Sequence, residues 1–214
     1  MTGVQTCALP ISPGTNTNKP YYYSAGGPNN GPRVNFAGAA ATTVTSANAY
    51  MTCSLLCSAS MPGGMTAFYY LSDTAAKPFT RLFVANGYCA DFAGGGQFNG
   101  TLASVSDSSY WIPTQSTYIT YTTGTWVTVC HRIYNSSKTQ MTQDLYLNGV
   151  LQYTKTNTGQ VSDATFTRFG QSENGDTLNE PYWAGDLYAL LLYARKLETE
   201  EIQEIDRQMR NNLV

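Results

Sequence analysis

The sequence predicts an all-β fold, two antiparallel sheets packed face to face as a sandwich, with one short amphipathic helix at the C-terminal end. Three observations carry that expectation. Residues 145–152, LYLNGVLQ, set Asn148-Gly149 between two extended apolar segments, and two residues that tolerate positive φ at that place signal a type I′ hairpin. Short segments of alternating polarity recur along the chain, punctuated by Gly, Asn and Asp, as in sandwiches and barrels. After Leu197 the apolar period changes from two to three or four, the spacing of a helix with one buried face.

Residues 1–12, MTGVQTCALPIS, show no helical or strand period and no basic start followed by an apolar run. Back-translated, they read as a common sequencing-library adapter, so this stretch is expected to be a scar rather than native chain. The native N-terminus and any signal peptide would then be missing. Residues 13–31, rich in Pro, Gly and Asn around Tyr21, Tyr22 and Tyr23, read as an irregular lead-in, and a single domain is expected over 32–214. Roughly 200 residues suffice for one sandwich with a sizeable core.

Within that domain, PRVNFAG at 32–38 reads as the first strand, with Val34 and Phe36 on one face. Residues 51–61 alternate most cleanly, with Met51, Cys53, Leu55, Cys57, Ala59 and Met61 on one side. Further strands are expected over 66–71, 79–84, 88–92 and 101–105, separated by Asp73, Asn86-Gly87, Gly94-Gly95-Gly96 and Asn99-Gly100. Residues 106–116 read as a polar loop around Tyr110-Trp111, and 118–121 as a short return strand. A two-residue hairpin loop fixes the register that follows, with Leu147 opposite Val150 and Tyr146 opposite Leu151. Leu145, Leu147 and Val150 are expected on the core face. Strands over 165–169 and 182–197 flank the loop GQSENGDTLNEP, and Thr199 is placed to cap a helix whose stripe is Ile202, Ile205 and Met209.

Charged residues make up 12% of the chain, about half the usual share, while uncharged polar residues and Tyr are abundant. Such a surface is expected of an extracellular, cell-surface or virion protein. A net charge of -2 without a basic run argues against nucleic acid, and no apolar run approaches the length of a membrane span. Setting Cys7 aside leaves Cys53, Cys57, Cys89 and Cys130. Their spacing is not that of a zinc site, and buried free thiols are the plainer reading, with disulfides across strands as the alternative.

Three segments resemble one family: NGPRVNFAG at 30–38, TWVTV with DLYLNGVL inside 125–151, and WAGDLYALLLYARKLETEEI at 183–202. They are similar to the Trp-led strand, the hairpin and the closing strand and helix of laminin-G-like members of the concanavalin A-like lectin/glucanase superfamily. The resemblance implies a concanavalin A-like jelly roll, used for glycans in many relatives and for proteins in others, with calcium in some and polysaccharide hydrolysis in one branch. Hydrolysis there needs carboxylates spaced E-x-D-x-E or E-x-D-x-x-E on one strand, which this sequence lacks.

The candidate sites follow from residue chemistry. Glu173, Asp176 and Glu180 read first as a solvated loop, with a calcium site of oxygen ligands as the alternative. His131, the only histidine, shares the parity of Val127, Val129 and Ile133 and reads as a strand residue holding a hydrogen bond. Aromatic rings stack on sugar faces, so Tyr110, Trp111, Tyr182 and Trp183 are the candidate ligand-binding residues, against the plainer reading of Trp126 and Trp183 as core and Trp111 as a loop anchor. Asn99-Gly100-Thr101 and Asn135-Ser136-Ser137 match the N-glycosylation pattern.

The expected function is a non-catalytic, carbohydrate-binding module whose partner is a glycan or glycoprotein. The alternative is a structural or adhesive subunit that packs against itself or another protein, and a polysaccharide hydrolase stands third.

Overall fold

The computed structural model describes residues 21–36, 56–57, 64–73, 80–85, 88–92, 97–102, 111–112, 119–158, 164–169 and 185–211. In chain order these form β1 (Tyr21–Tyr23), β2 (Arg33–Phe36), β3 (Leu56–Cys57), β4 (Gly64–Asp73), β5 (Thr80–Ala85), β6 (Tyr88–Phe92), β7 (Gln97–Leu102), β8 (Trp111–Ile112) and β9 (Ile119–Thr120). There follow β10 (Val127–Asn135), β11 (Gln140–Leu147), β12 (Val150–Thr158), β13 (Ala164–Phe169), β14 (Gly185–Tyr193) and α1 (Thr199–Arg210). The first sheet runs β1-β2-β14-β4-β10-β11-β12; the second runs β3-β13-β5-β6-β7-β8, with β9 also pairing β7. The strand pairs described are antiparallel in both sheets.

The expected hairpin joins β11 to β12 in the expected register, Leu147 opposite Val150 and Tyr146 opposite Leu151. Asn148 and Gly149 both take positive φ, 50° and 75°, as a type I′ turn requires. Gly149 has a second constraint, because a Cβ there would lie 2.8 Å from Oδ2 of Asp206 on α1. The expected core face holds only in part. Leu145 is buried, but Leu147 is half-buried and Val150 is 60% exposed, while Tyr146 on the reverse face is 1% exposed. A bulge shifts the register between Leu145 and Tyr146, and the helix covers the reverse face there.

Why two covers are needed is visible along β4, where every residue from Gly64 to Ser72 is buried. Successive strand residues point to opposite faces, so both faces must be out of water. Phe68 and Tyr70 pack with Cys130, Tyr146, Tyr193, Leu197, Ile202 and Met209 beneath α1. Met65, Ala67, Tyr69 and Leu71, of the other parity, are fully buried and belong to the face turned toward the second sheet. The helix begins one residue earlier than expected: Glu198 is the N-cap, Thr199 is the first helical residue, and Glu201 accepts from the Glu198 backbone N–H at 2.9 Å.

A buried ion pair locks the approach to that helix. Arg132 donates from Nε and Nη2 to Asp144 Oδ2 at 2.8 and 2.6 Å, and from Nη1 to the Leu197 carbonyl at 2.7 Å. Thr154 Oγ1 donates to the other Asp144 oxygen at 2.7 Å. Burial works against the Arg132 charge, but the Asp144 hydrogen bond and charge outweigh it and raise the guanidinium above its ordinary range. Thr66 completes the clamp, donating to the Arg195 carbonyl at 3.0 Å and accepting from the Leu197 N–H at 3.1 Å.

Other expectations are corrected. Tyr21–Tyr23, inside the expected lead-in, forms β1 on β2. The strand expected over 101–105 is β7, Gln97–Leu102, so Asn99-Gly100 lies inside a strand; pairing with the whole of β6 overrides the local turn signal. Trp111, expected in a loop, lies in β8 opposite Thr101. Of the alternating run at 51–61, Leu56–Cys57 forms β3 on β13, and the rest lies outside the described residues. Cys130 is a buried free thiol. Asn135 is buried, which disfavours it as a glycan acceptor.

Two outcomes follow from these buried polar groups. Asp144→Ala strands the Arg132 charge and is expected to cost about 3–5 kcal/mol, read as a lower urea midpoint at unchanged slope. His131 is fully buried, with Nε2 3.3 Å from Gln143 Oε1, and burial pushes its imidazole down to about 4 from an ordinary 6.5. The unfolded chain therefore binds the extra proton first. The stability this group contributes is complete above pH 6.5 and is lost as pH falls toward 4, up to about 3 kcal/mol. Glu201 and Glu204, held down to about 2 by their hydrogen bonds to Arg195 and Arg207, weaken the fold only below about pH 4.5. Melting temperatures between pH 6.5 and 4.5 are thus expected to fall in the parent chain and to flatten in His131→Gln.

Candidate functional site

Beyond the end of α1, the outer face of the first sheet carries, among the described residues, the half-buried Trp126, Tyr188 and Arg33 and the exposed Tyr23. There the side chains are aromatic and polar. Tyr70 on β4 meets two rings edge-on, Trp126 at 5.7 Å and Tyr188 at 5.6 Å between centroids. Both partners are half-buried while Tyr70 itself is 6% exposed. Burial raises the Tyr70 phenol above its ordinary value, with the Arg210 charge working the other way, so the group stays neutral.

Tyr188 reaches this face because β14 carries a bulge. Leu187 pairs with Leu71 and Ala189 with Tyr70, leaving Tyr188 as the extra residue. Such an insertion re-aims a side chain and disturbs pairing at one point. The ring also needs Gly31 beside it, since a Cβ there would come within 3.3 Å of the ring carbon Cε2 and 3.0 Å of the Pro28 carbonyl oxygen. The turn that supplies Gly31 holds Asn29 and Asn30 at φ 48° and 61°, a conformation uncommon outside glycine.

Next to the rings lies a hydrogen-bonded polar group. Asp186 on β14 stands opposite Asn35 on β2 and is buried. Its Oδ1 accepts from Asn35 Nδ2 at 2.7 Å, and its Oδ2 accepts from Arg33 Nη1. Arg33 keeps 27% of its side chain exposed, and its guanidinium lies 4.8 Å over the centre of the Tyr23 ring. Tyr23 and Tyr22 on β1 are 44% and 67% exposed. The result is a planar cation, a fixed carboxylate and an amide beside aromatic rings, all positioned by strand register.

Most residues singled out by sequence fall elsewhere. Tyr110, Tyr182 and Trp183 lie outside the described residues, as do Glu173, Asp176 and Glu180. Trp111 is placed as a backbone position in β8. Among the described residues, no group of three or more His, Cys, Asp or Glu is arranged to hold a metal ion. Trp126, expected in the core, sits half-buried at its margin. Sequence reasoning missed Arg33, Asn35 and Asp186, although two of the three resembling segments contain them. The available signal was polar side chains on strands whose other parity is apolar.

Residues 46–203 match the laminin G family model described as concanavalin A-like lectin/glucanases. The chain belongs to this superfamily. No curated protein matches it in sequence. Among solved structures, this laminin G-like chain is similar to the heptameric SAP-like pentraxin of Limulus polyphemus, with 18% identity over 81% of each chain and a TM-score of 0.60. It is also similar to the receptor-binding domain of botulinum neurotoxin type G, with 12% identity over 89% of this chain and 44% of that one and a TM-score of 0.52. A third is the binding domain of botulinum neurotoxin DC, solved with rat synaptotagmin II, with 10% identity over 83% of this chain and 43% of that one and a TM-score of 0.53. The chain thus spans less than half of either toxin domain. At these identities the likeness establishes the jelly-roll fold. Among the described residues, no helix is long and apolar enough to cross a membrane.

Asp186 is expected to organise this face. Asp186→Ala leaves Arg33 and Asn35 without their acceptor and should lower stability by about 1–3 kcal/mol, checked by calorimetric melting, with Arg33→Ala costing no less because it strands the more deeply buried Asp186 carboxylate.

Proposed function

We propose that this domain is a non-catalytic carbohydrate-binding module, part of an extracellular, cell-surface or virion protein, and that a sugar ring seats on the outer face around Tyr188. The observation that carries the reading is the juxtaposition of half-buried Trp126 and Tyr188 with the Asp186–Arg33–Asn35 group. A sugar presents an apolar ring face and a rim of hydroxyls, so its receptor needs an aromatic platform beside directed donors and acceptors. Superfamily membership supports the same ligand class. Both Asp186 oxygens are committed to hydrogen bonds within the sheet, an arrangement that suits holding a ligand group in place rather than transferring protons.

Calcium held by Glu173, Asp176 and Glu180 would add a second, metal-dependent contact. A structural or adhesive subunit is the second reading, favoured by the exposed Tyr22 and Tyr23 on a weakly charged chain. The deciding experiment is a broad glycan array probed with the purified chain in calcium and in chelator. Binding is expected, with Tyr188→Ala lowering affinity by about tenfold or more, the effect of losing one stacked ring, at an unchanged circular dichroism spectrum. Silence in both conditions would sink the carbohydrate reading, and binding untouched by Tyr188→Ala would move the site off this face.

A further inference from the structure

Asn148-Gly149 combines two properties that pull against each other. As a type I′ turn it sets the register of β11 and β12. As an Asn-Gly pair it is chemically labile, because a glycine leaves its own nitrogen unshielded for attack on the preceding side-chain amide. In that reaction the Gly149 nitrogen bonds to Cγ of Asn148, the Cγ–Nδ2 bond breaks, and the amide nitrogen leaves as ammonia with the Gly149 proton. Water then opens the five-membered ring at either carbonyl, giving aspartate or isoaspartate. Asn148 is exposed, so water reaches it.

The folded junction opposes the first step. Ring closure must swing Cγ over the Gly149 nitrogen into attack geometry. Asn148 is tied to β10 instead: its Oδ1 accepts the Thr128 N–H at 3.1 Å, and its own N–H donates to the Thr128 carbonyl at 2.9 Å. On the helix side there is no slack at Gly149, since a Cβ there would lie 2.8 Å from Asp206 Oδ2, and that oxygen is itself held by Arg210 Nε at 2.8 Å. We propose that Asn148 is a modification site gated by this junction: spontaneous conversion to aspartate or isoaspartate proceeds when the turn lifts from β10, and conversion then weakens the closed junction. Aspartate brings a second carboxylate to Thr128, whose hydroxyl already donates to Asp206. Isoaspartate adds a methylene to the main chain of a two-residue turn that needs Leu147 opposite Val150. Local openings of the hairpin are thus recorded irreversibly.

The test is incubation of the full chain at mildly alkaline pH in buffer and in urea, with conversion followed by peptide mass spectrometry at all five Asn-Gly pairs, Asn30, Asn86, Asn99, Asn148 and Asn174. In urea Asn148 is expected to keep pace with the other four, and in buffer to convert at least about tenfold more slowly than in urea. Thr128→Val, which removes the hydroxyl link to Asp206, and Arg210→Ala, which releases Asp206 from its partly exposed cation, should each raise the rate in buffer several-fold and leave the rate in urea unchanged. Two variants guard against one that fails to fold, as circular dichroism would report. Chains converted at Asn148, separated by ion exchange, should melt below the parent. Equal rates in buffer and urea overturn the proposal. So does a rate in buffer that neither substitution raises, or a converted chain that melts with the parent.

Discussion

A guanidinium taken out of water must be given its hydrogen bonds back, and Arg132 shows how that requirement shapes this molecule. Three of its N–H groups are used, two on Asp144 and one on the Leu197 carbonyl. The first pair ties β10 to β11, and Thr154 extends the tie to β12 through the second Asp144 oxygen. The third reaches across the sheet to the segment between β14 and α1. Leu197 is therefore held by side chains on both sides, its carbonyl by Arg132 and its N–H by Thr66. Such a network is costly to leave incomplete, so the entry angle of the helix is set by the strands it covers.

From that anchor the position of α1 follows. Ile202 and Met209 bury their side chains over Phe68, Cys130 and Tyr146, while Asp206, also buried, accepts from the Thr128 hydroxyl and from Arg210 Nε at 2.8 Å. Asn148 joins the same junction, receiving the Thr128 N–H on Oδ1 at 3.1 Å and donating its own N–H to the Thr128 carbonyl at 2.9 Å. The hairpin turn thus does more than reverse the chain. Its glycine clears room for Asp206, and its asparagine ties the turn to β10. Hairpin, central strand and helix meet at one point, and the helix can cover only part of the outer face.

What the sequence made legible was whatever depends on local chemistry. Asn148-Gly149 announced both its turn type and its register, and the stripe of Ile202, Ile205 and Met209 announced the buried side of α1. The failures share a cause of another kind. Leu145, Leu147 and Val150 read as the core face because alternation assumes one covered side, whereas β11 lies between a sheet and a helix. Asn99-Gly100 carries a turn signal that pairing with β6 overrides. The site was hidden for a related reason. Arg33 and Asn35 lie 153 and 151 positions before Asp186, and the β2–β14 register makes them neighbours. Periodicity can place each on an outward face, but it cannot show that these faces adjoin.

The same division of faces bears on where this domain can act. Its inner face must be apolar or fully hydrogen-bonded, because the second sheet excludes water from it; His131 with Gln143 illustrates how polar groups are tolerated there. Under α1 the outer face is filled. The strip from Trp126 to Tyr23 is subject to neither constraint, yet it is not a plain solvated surface. A bulge makes Tyr188 the extra residue of β14, and a turn with two asparagines at positive φ brings Gly31 against its ring; each carries a conformational cost. Stability alone gives no reason to accept that cost for a ring left half in water. Relatives at 10–18% identity share the jelly roll, while the chemistry of the strip is this chain's own: a flat apolar surface beside a fixed carboxylate, amide and guanidinium is complementary to a ligand that is itself flat and apolar on one side and hydroxylated at its rim.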